Sequence, residues 1–156
     1  YSIYHTLFLC NHFTFHTDIL LYCPVFSSEV KHAFDAAKCL LVSSEKWLVQ
    51  LEEIQTKVYG SALQIIQVCF TRWNSSQMCL ASILRIKTAC EILYCRFKDE
   101  PQFPKKLRCF SSPCFWEAIQ DAHDTVIPLI CASFLLENHG VTMSDCMFVF
   151  AVIYLH

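Results

Sequence analysis

The stretch Cys69–Lys87, "CFTRWNSSQMCLASILRIK", joins an Arg-Trp pair to an Asn-Ser turn and the start of an amphipathic helix. After the turn, apolar residues recur at helical spacing as far as Phe97. Asn74 or Ser75 can accept hydrogen bonds from the free amides at the start of this helix. Arg72 and Trp73 therefore lie at a junction, where we expect their side chains to be presented to solvent or to a partner.

Helical patterns cover most of the chain on both sides of this junction. They predict helices from about Ser28 to Val42 and from Ser44 to a left-handed stop at Gly60, the second with an apolar stripe of Trp47, Leu48, Leu51, Ile54 and Val58. A long helix is predicted from the N-cap Ser112 and first residue Pro113 to Gly140, and a last apolar helix after Thr142. The proline-rich residues 98–113 are expected to form a loop. The fold prediction is mainly α. It allows for one or two short strands near residues 1–9 and 63–71, the second because the run "LQIIQVCF" is rich in β-branched residues.

The composition limits the classes of protein to consider. A chain of 156 residues that is 54% apolar can bury one core, and two glycines are too few for Gly-rich phosphate loops or a nucleophile elbow. Eleven cysteines without a visible signal peptide favour buried free thiols over a disulfide framework. The longest apolar run, residues 146–155, is about half of what a membrane-spanning helix needs, so we expect no membrane span. Since the chain starts at Tyr1 and ends in an apolar run, we interpret it as a fragment.

Charge is distributed unevenly along the chain. Residues 72–108 hold eight basic and three acidic side chains, whereas residues 109–156 hold no basic and five acidic ones. A net charge of +5 beside one of −5 predicts a basic face built by the middle segment, and such a face is typical of nucleic-acid binding. The alternative is a solvated helix followed by a basic loop. The candidate DNA-binding cations are Arg72, Arg85, Lys105, Lys106 and Arg108.

Two clusters could carry other chemistry. The pairs Cys90-x4-Cys95 and Cys109-x4-Cys114 suggest a zinc site, but the first pair lies within a helical pattern and neither has the spacing of a zinc knuckle. Glu117, Asp121 and Asp124 lie on one helix face with His123 nearby, which suits either metal or acid–base chemistry or a solvated face. We favour the solvated face and predict neither a metal site nor a catalytic residue.

Three motifs in this order resemble the central part of hAT-superfamily transposases, DNA transposases built on an RNase H-like domain with a helical insertion. "HTLFLC" at His5 resembles the family's His-Thr-Leu-Asn-Leu run, and "TRWNSS" at Thr71 resembles its Thr-Arg-Trp-Asn-Ser signature. "FWEAIQDAHDTVIPLICASFLLE", from Phe115, is similar to the family's later Phe-Trp helix. The order and approximate spacing agree over nearly the whole chain.

The resemblance implies a partial RNase H-like segment at residues 1–71 and the start of the helical insertion domain at 72–156, in one continuous fragment. It also implies a role for Arg72 and Trp73 in holding the transposon end. Arginine binds phosphate in a fork, and tryptophan offers a plane on which any base can stack. Complete members use Mg or Mn and act in the nucleus.

The chain departs from the family at two positions of the first motif, with Ser2 where relatives have Cys or Asp and Phe8 where they have Asn. The segments that carry the family's catalytic carboxylates are not present in this sequence, so we expect an incomplete active site with no cofactor and no enzymatic activity.

Three functions remain open. The first is a degenerate hAT-type transposase fragment that retains at most weak DNA contact through residues 72–108 and is nuclear if expressed intact. The second is an α-helical protein-interaction module, without a nucleic-acid role, that uses its last helix and the Phe115–Trp116 pair. The third is a product without function whose apolar faces belong against missing parts of the parent domain. We expect no small-molecule ligand, and the exposed apolar helices allow oligomerisation.

Overall fold

The computed structural model describes residues 27–43, 45–69, 75–137, 142–145, 147–148 and 151, and these residues are predominantly helical, which confirms the prediction of a mainly α protein. Residues 143–145, 147–148 and 151 are helical as well. The longer elements, in chain order, are α1 (Ser27–Lys38), a π-helical turn (Cys39–Ser43), α2 (Glu45–Tyr59), α3 (Ser75–Arg85), α4 (Lys87–Phe97), a 3-10 helix (Lys105–Ser111) and α5 (Pro113–Glu137).

Helix α1 lies at the centre of the packing and contacts α3, α5 and the 3-10 helix. Its buried face is made mostly of alanine, with Ala33, Ala36 and Ala37 fully inaccessible to solvent. Small side chains allow neighbouring helices to approach closely, and Val30 and Leu40 fill the space at the two ends of this face. The buried residues form one contiguous core, to which residues on both sides of the predicted domain boundary at 71/72 contribute.

Helix α2 packs against α4 through an aromatic cluster. The ring of Trp47 meets those of Phe97 and Phe103 edge-on, with centroid distances of 5.3 and 5.2 Å. The ammonium group of Lys46 lies 4.4 Å from the Trp47 ring centroid and 2.7 Å from a carboxylate oxygen of Glu100. The cluster therefore fixes the start of α2 on the end of α4.

The predicted end of α2 at Gly60 is confirmed. Gly60 has a positive φ of 82°, which residues with a Cβ adopt only at a cost, and its amide donates to the Thr56 carbonyl at 3.0 Å.

The helix predicted to run from Asn74 or Ser75 to Phe97 is divided at Ile86. That residue has φ −105° and ψ 16°, outside helical geometry, and its side chain is fully buried. The break retains hydrogen bonds on both sides, because the Ile86 amide donates to the Ile83 carbonyl and its own carbonyl accepts from Cys90. The two helices have different neighbours: α3 contacts α1 and α5, whereas α4 contacts α2 and the 3-10 helix.

The strand expected near residues 63–71 is wrong for its described part, residues 63–69, which run as an extended segment without strand pairing. Helix side chains bind this backbone where a partner strand would. The amides of Leu63, Ile66 and Cys69 donate to Gln55 Oε1 at 2.6 Å, to Ser82 Oγ at 3.0 Å and to Ser75 Oγ at 3.0 Å. β-Branched composition predicted the extended conformation, but it could not reveal that polar groups on helices would satisfy the amides. The strand expected near 1–9 lies outside the described residues.

Replacing Ser82 by alanine should lower the free energy of unfolding by about 1–3 kcal/mol, because the Ile66 amide would lose its acceptor in a partly buried position. Urea unfolding followed by circular dichroism measures this change. Ser111→Ala is the matched control, since Ser111 also donates to the carbonyl three residues earlier but is exposed. Equal effects of the two substitutions would contradict the assigned role of Ser82.

Residues 98–113, expected to form a loop, include the 3-10 helix. Long helix α5 follows and begins as predicted: Pro113 is its first residue, and Ser112 Oγ accepts a hydrogen bond from the Phe115 amide at 3.3 Å. The predicted stop at Gly140 lies outside the described residues. The helix continues through Pro128.

Candidate nucleic-acid interface

The 3-10 helix presents two cations on its outer face. With three residues per turn, side chains three apart lie one above the other, so the helix has three distinct faces. Leu107 and Phe110 form the inner face and are fully buried, whereas Lys105 and Arg108 form the outer face and are exposed. Within the described part of the chain, neither cation has an ion-pair partner. The pair is therefore available to bind an anion.

Aromatic packing holds this helix on the core. The Phe110 ring stacks on the Trp116 ring with a centroid distance of 5.7 Å and an interplanar angle of 19°. The Trp116 indole nitrogen donates to the Phe110 carbonyl at 3.1 Å, and Phe115 packs on Trp116 edge-on. The backbone that carries the two cations is thus fixed by buried contacts.

The other described candidates, Arg85 and Lys106, are exposed but contact different neighbours. Lys106 Nζ lies 3.4 Å from Asp35 Oδ1 on α1, and both side chains are about half exposed, so this pair contributes little to stability. Arg85 Nη2 donates to the Gln64 carbonyl at 3.2 Å and so binds the extended segment. The structure therefore brings Lys105 and Arg108 together and engages Lys106 and Arg85 elsewhere.

Arg72 and Trp73 lie outside the described residues. The first described residue of the helix expected directly after them, α3, is Ser75.

Lys87 is a cation that the sequence analysis did not single out. It is exposed at the first residue of α4, and its Nζ lies 5.5 Å from the centroid of the Trp116 ring, the same ring that stacks on Phe110. The only indication of Lys87 in the sequence is that it lies in the basic segment 72–108. Its proximity to the aromatic support of the 3-10 helix arises from tertiary packing.

The cysteines do not form a metal site within the described ranges, where no group of potential ligands has suitable geometry. Cys90 is fully buried, whereas Cys95 and Cys114 are exposed. Burial raises the pKa of Cys109 to about 12 and that of Cys90 well above its usual value, so thiolate formation is unfavourable at both. The described cysteines are free thiols, but the predicted burial holds only for Cys39, Cys79 and Cys90. Cys109 is partly buried, and Cys69, Cys95, Cys114 and Cys131 are exposed.

The carboxylates of α5 lie on an exposed face. Glu117, Asp121 and Asp124 are all exposed, and a hydrogen bond from Gln120, with a second from His123, lowers the pKa of Asp124. The Gln77 amide nitrogen lies 3.1 Å from His123 Nε2, and His123 Nδ1 donates to Asp124 Oδ1 at 3.0 Å. This polar chain joins α3 to α5 and agrees with a solvated carboxylate face.

The Phe115–Trp116 pair does not form a partner surface. Both side chains are buried, at 2% and 3% exposure, because they close the core between the 3-10 helix and α5. The interaction-module hypothesis assigned this pair to a partner, whereas the structure places both side chains in the core.

Comparison of the chain with protein-family models, with curated proteins and with solved structures gives no match. The described ranges contain no helix that combines the length and the hydropathy needed to cross a membrane.

Proposed function

We propose that this chain is a catalytically incomplete hAT-type transposase fragment that contacts nucleic acid weakly through its 3-10 helix. The observation that carries the proposal is the exposed pair Lys105 and Arg108 on one face of a helix held by buried aromatic rings. The resemblance of "TRWNSS" and its neighbouring motifs to the transposase family supports a nucleic acid as the anion. In this proposal Arg72 and Trp73 add contacts, and the protein acts in the nucleus.

The spacing of the two cations suits a phosphate backbone. Three residues of a 3-10 helix rise about 6 Å. Each strand of duplex DNA carries one phosphate per roughly 3.4 Å of helix axis, so two cations at this spacing can contact phosphates that lie close together on one strand. Contacts to phosphate alone carry no sequence information, so binding should be weak, independent of sequence and sensitive to salt.

Replacing both cations by glutamine, Lys105→Gln with Arg108→Gln, should weaken binding of a fluorescent oligonucleotide. It should also flatten the plot of log affinity against log salt concentration by about two units if each cation meets one phosphate. Fluorescence anisotropy over a salt series measures both effects.

The matched control is the double variant Lys31→Gln with Lys57→Gln. It removes the same charge from exposed positions on α1 and α2. An equal loss of binding in both double variants would indicate a general effect of net charge and would overturn the assignment to the 3-10 helix.

A second candidate, a protein-interaction module, is favoured by a separate observation. The second half of α5 exposes large apolar side chains, with Ile127 at 37%, Phe134 at 51% and Leu135 at 55% of their full accessibility. Apolar side chains grouped on an exposed helix face are typical of protein-binding surfaces. In this candidate function the partner surface is the second half of α5, because the Phe115–Trp116 pair expected to form it is buried.

A further inference from the structure

The exposed face of α5 changes from acidic to mainly apolar along the helix. Residues three or four apart share one face of an α-helix, and one set of exposed residues on α5 follows that spacing. In the first half this set consists of the carboxylates Glu117, Asp121 and Asp124, and Gln120 and Thr125 are exposed beside it. In the second half the set consists of Ile127, Cys131, Phe134 and Leu135. We refer to these seven residues as the graded face.

The carboxylates of the graded face are not neutralised by cations in the described ranges. Glu117 and Asp121 form no ion pair there, and Asp124 accepts a hydrogen bond from His123 Nδ1 but has no lysine or arginine partner. No lysine or arginine occurs in residues 109–156, so this part of the chain supplies no countercharge of its own. The acidic part spans about 10 Å and the apolar part about 12 Å along the helix axis.

The charge arrangement argues against a second copy of α5 as the occupant. In a parallel pairing of two α5 helices, the carboxylates of one copy would face those of the other. In an antiparallel pairing, the carboxylates would be desolvated against the Leu135 end without a countercharge. A complementary occupant has cations opposite the carboxylates and apolar groups opposite Ile127 and Leu135.

We propose that the graded face binds an amphipathic helix of a partner protein that carries lysine or arginine along one half of its contact face and large apolar residues along the other half. This inference rests on the second proposed function, that of an interaction module. An apolar helix face bound by a complementary helix is a recurrent mode of peptide recognition. The carboxylates then select the partner and fix its direction.

The structure supplies a direct probe of occupancy. Cys131 is an exposed free thiol between Ile127 and Leu135, and Cys95 on α4 is an exposed free thiol outside this face. The experiment measures the rate of maleimide modification of both thiols in the full chain, mapped by mass spectrometry. The ligand tested is a synthetic helical peptide of roughly 20 residues, which is long enough to cover the graded face. One side of this peptide carries lysines along one half of its length and leucines along the other half.

The expected result is that the peptide slows modification of Cys131 but not of Cys95. The double variant Glu117→Gln with Asp121→Asn should weaken peptide affinity by about tenfold or more, because the lysines would lose their countercharges. Glu52→Gln with Glu53→Gln removes the same charge from exposed positions on α2 and should leave the affinity unchanged. Leu135→Gln should also weaken binding, through loss of apolar contact.

Other outcomes separate the partner's chemistry from the interaction function itself. Equal protection by a peptide with glutamate in place of lysine would overturn the basic partner while leaving an interaction surface. If no helical peptide protects Cys131, both the inference and the interaction module at this face fail. A Cys131 that reacts slowly even without peptide would also overturn the inference, because the face would already be covered. If the reaction becomes slower as the protein concentration rises, a second copy covers the face. If the reaction rate does not depend on protein concentration, another part of the same chain covers it.

Discussion

Replacing Trp47 by alanine is expected to lower the free energy of unfolding by about 3–5 kcal/mol. The indole is 3% exposed and lies between the rings of Phe97 and Phe103, so truncation would leave a cavity and remove two edge-on ring contacts. Phe97 is the last residue of α4, and Phe103 lies between α4 and the 3-10 helix. Loss of the Trp47 contacts to both rings should therefore loosen the contact between α2 and the remainder of the fold.

Urea unfolding followed by far-UV circular dichroism measures this loss. Val49→Ala is the control, because Val49 belongs to the same helix but is 45% exposed, so its truncation removes little buried contact. A Trp47 variant that unfolds within about 1 kcal/mol of the parent would show that the aromatic cluster is not part of the cooperative core.

The second large effect is expected for Phe110→Ala, which should also lower the free energy of unfolding by about 3–5 kcal/mol. Phe110 is 1% exposed, stacks on Trp116 and contacts Phe115, so its removal leaves the 3-10 helix attached mainly through Leu107. Phe110→Leu should restore much of the stability, because it refills most of the volume without the stacking geometry.

The same variants test whether the aromatic support matters for the proposed phosphate contact. In Phe110→Ala, Lys105 and Arg108 keep their charges but lose a fixed backbone, so oligonucleotide affinity per folded molecule should fall as well. Anisotropy measured at a temperature where circular dichroism indicates a folded chain separates the two effects. Unchanged affinity in a folded Phe110→Ala variant would mean that the cations act without a fixed geometry.

Local chemistry made some of this fold predictable. The stripe of Trp47, Leu51 and Ile54, the stop at Gly60 and the cap at Ser112 follow from spacing and from residue types with one dominant conformational role. Each of these features is determined within a few residues of sequence, and each was found as expected, except that Val58, the last residue of the predicted stripe, is 40% exposed.

The features that sequence did not predict depend on contacts between distant residues. Ile86 divides a helix without glycine or proline, and its side chain is fully buried, so the local sequence carries no signal for the break. The side chains of Ser82 and Gln55 accept hydrogen bonds from the backbone of the extended segment, where a partner strand was expected. Within the candidate interface, the charge distribution of the sequence revealed the basic segment. It did not reveal that Lys105 and Arg108 share one face, because that depends on the 3-10 conformation of residues 105–111.

The two hydrogen bonds from the extended segment 63–69 to α3 span different lengths of sequence. The Cys69 amide is held by Ser75, six residues later, so this bond can form as soon as α3 begins. The Ile66 amide is held by Ser82, 16 residues later, so this bond requires the segment to lie along the first two turns of α3. We therefore expect the segment to dock on α3 from its Cys69 end, and we expect loss of the Ser82 bond to raise the rate of unfolding more than it lowers the rate of folding.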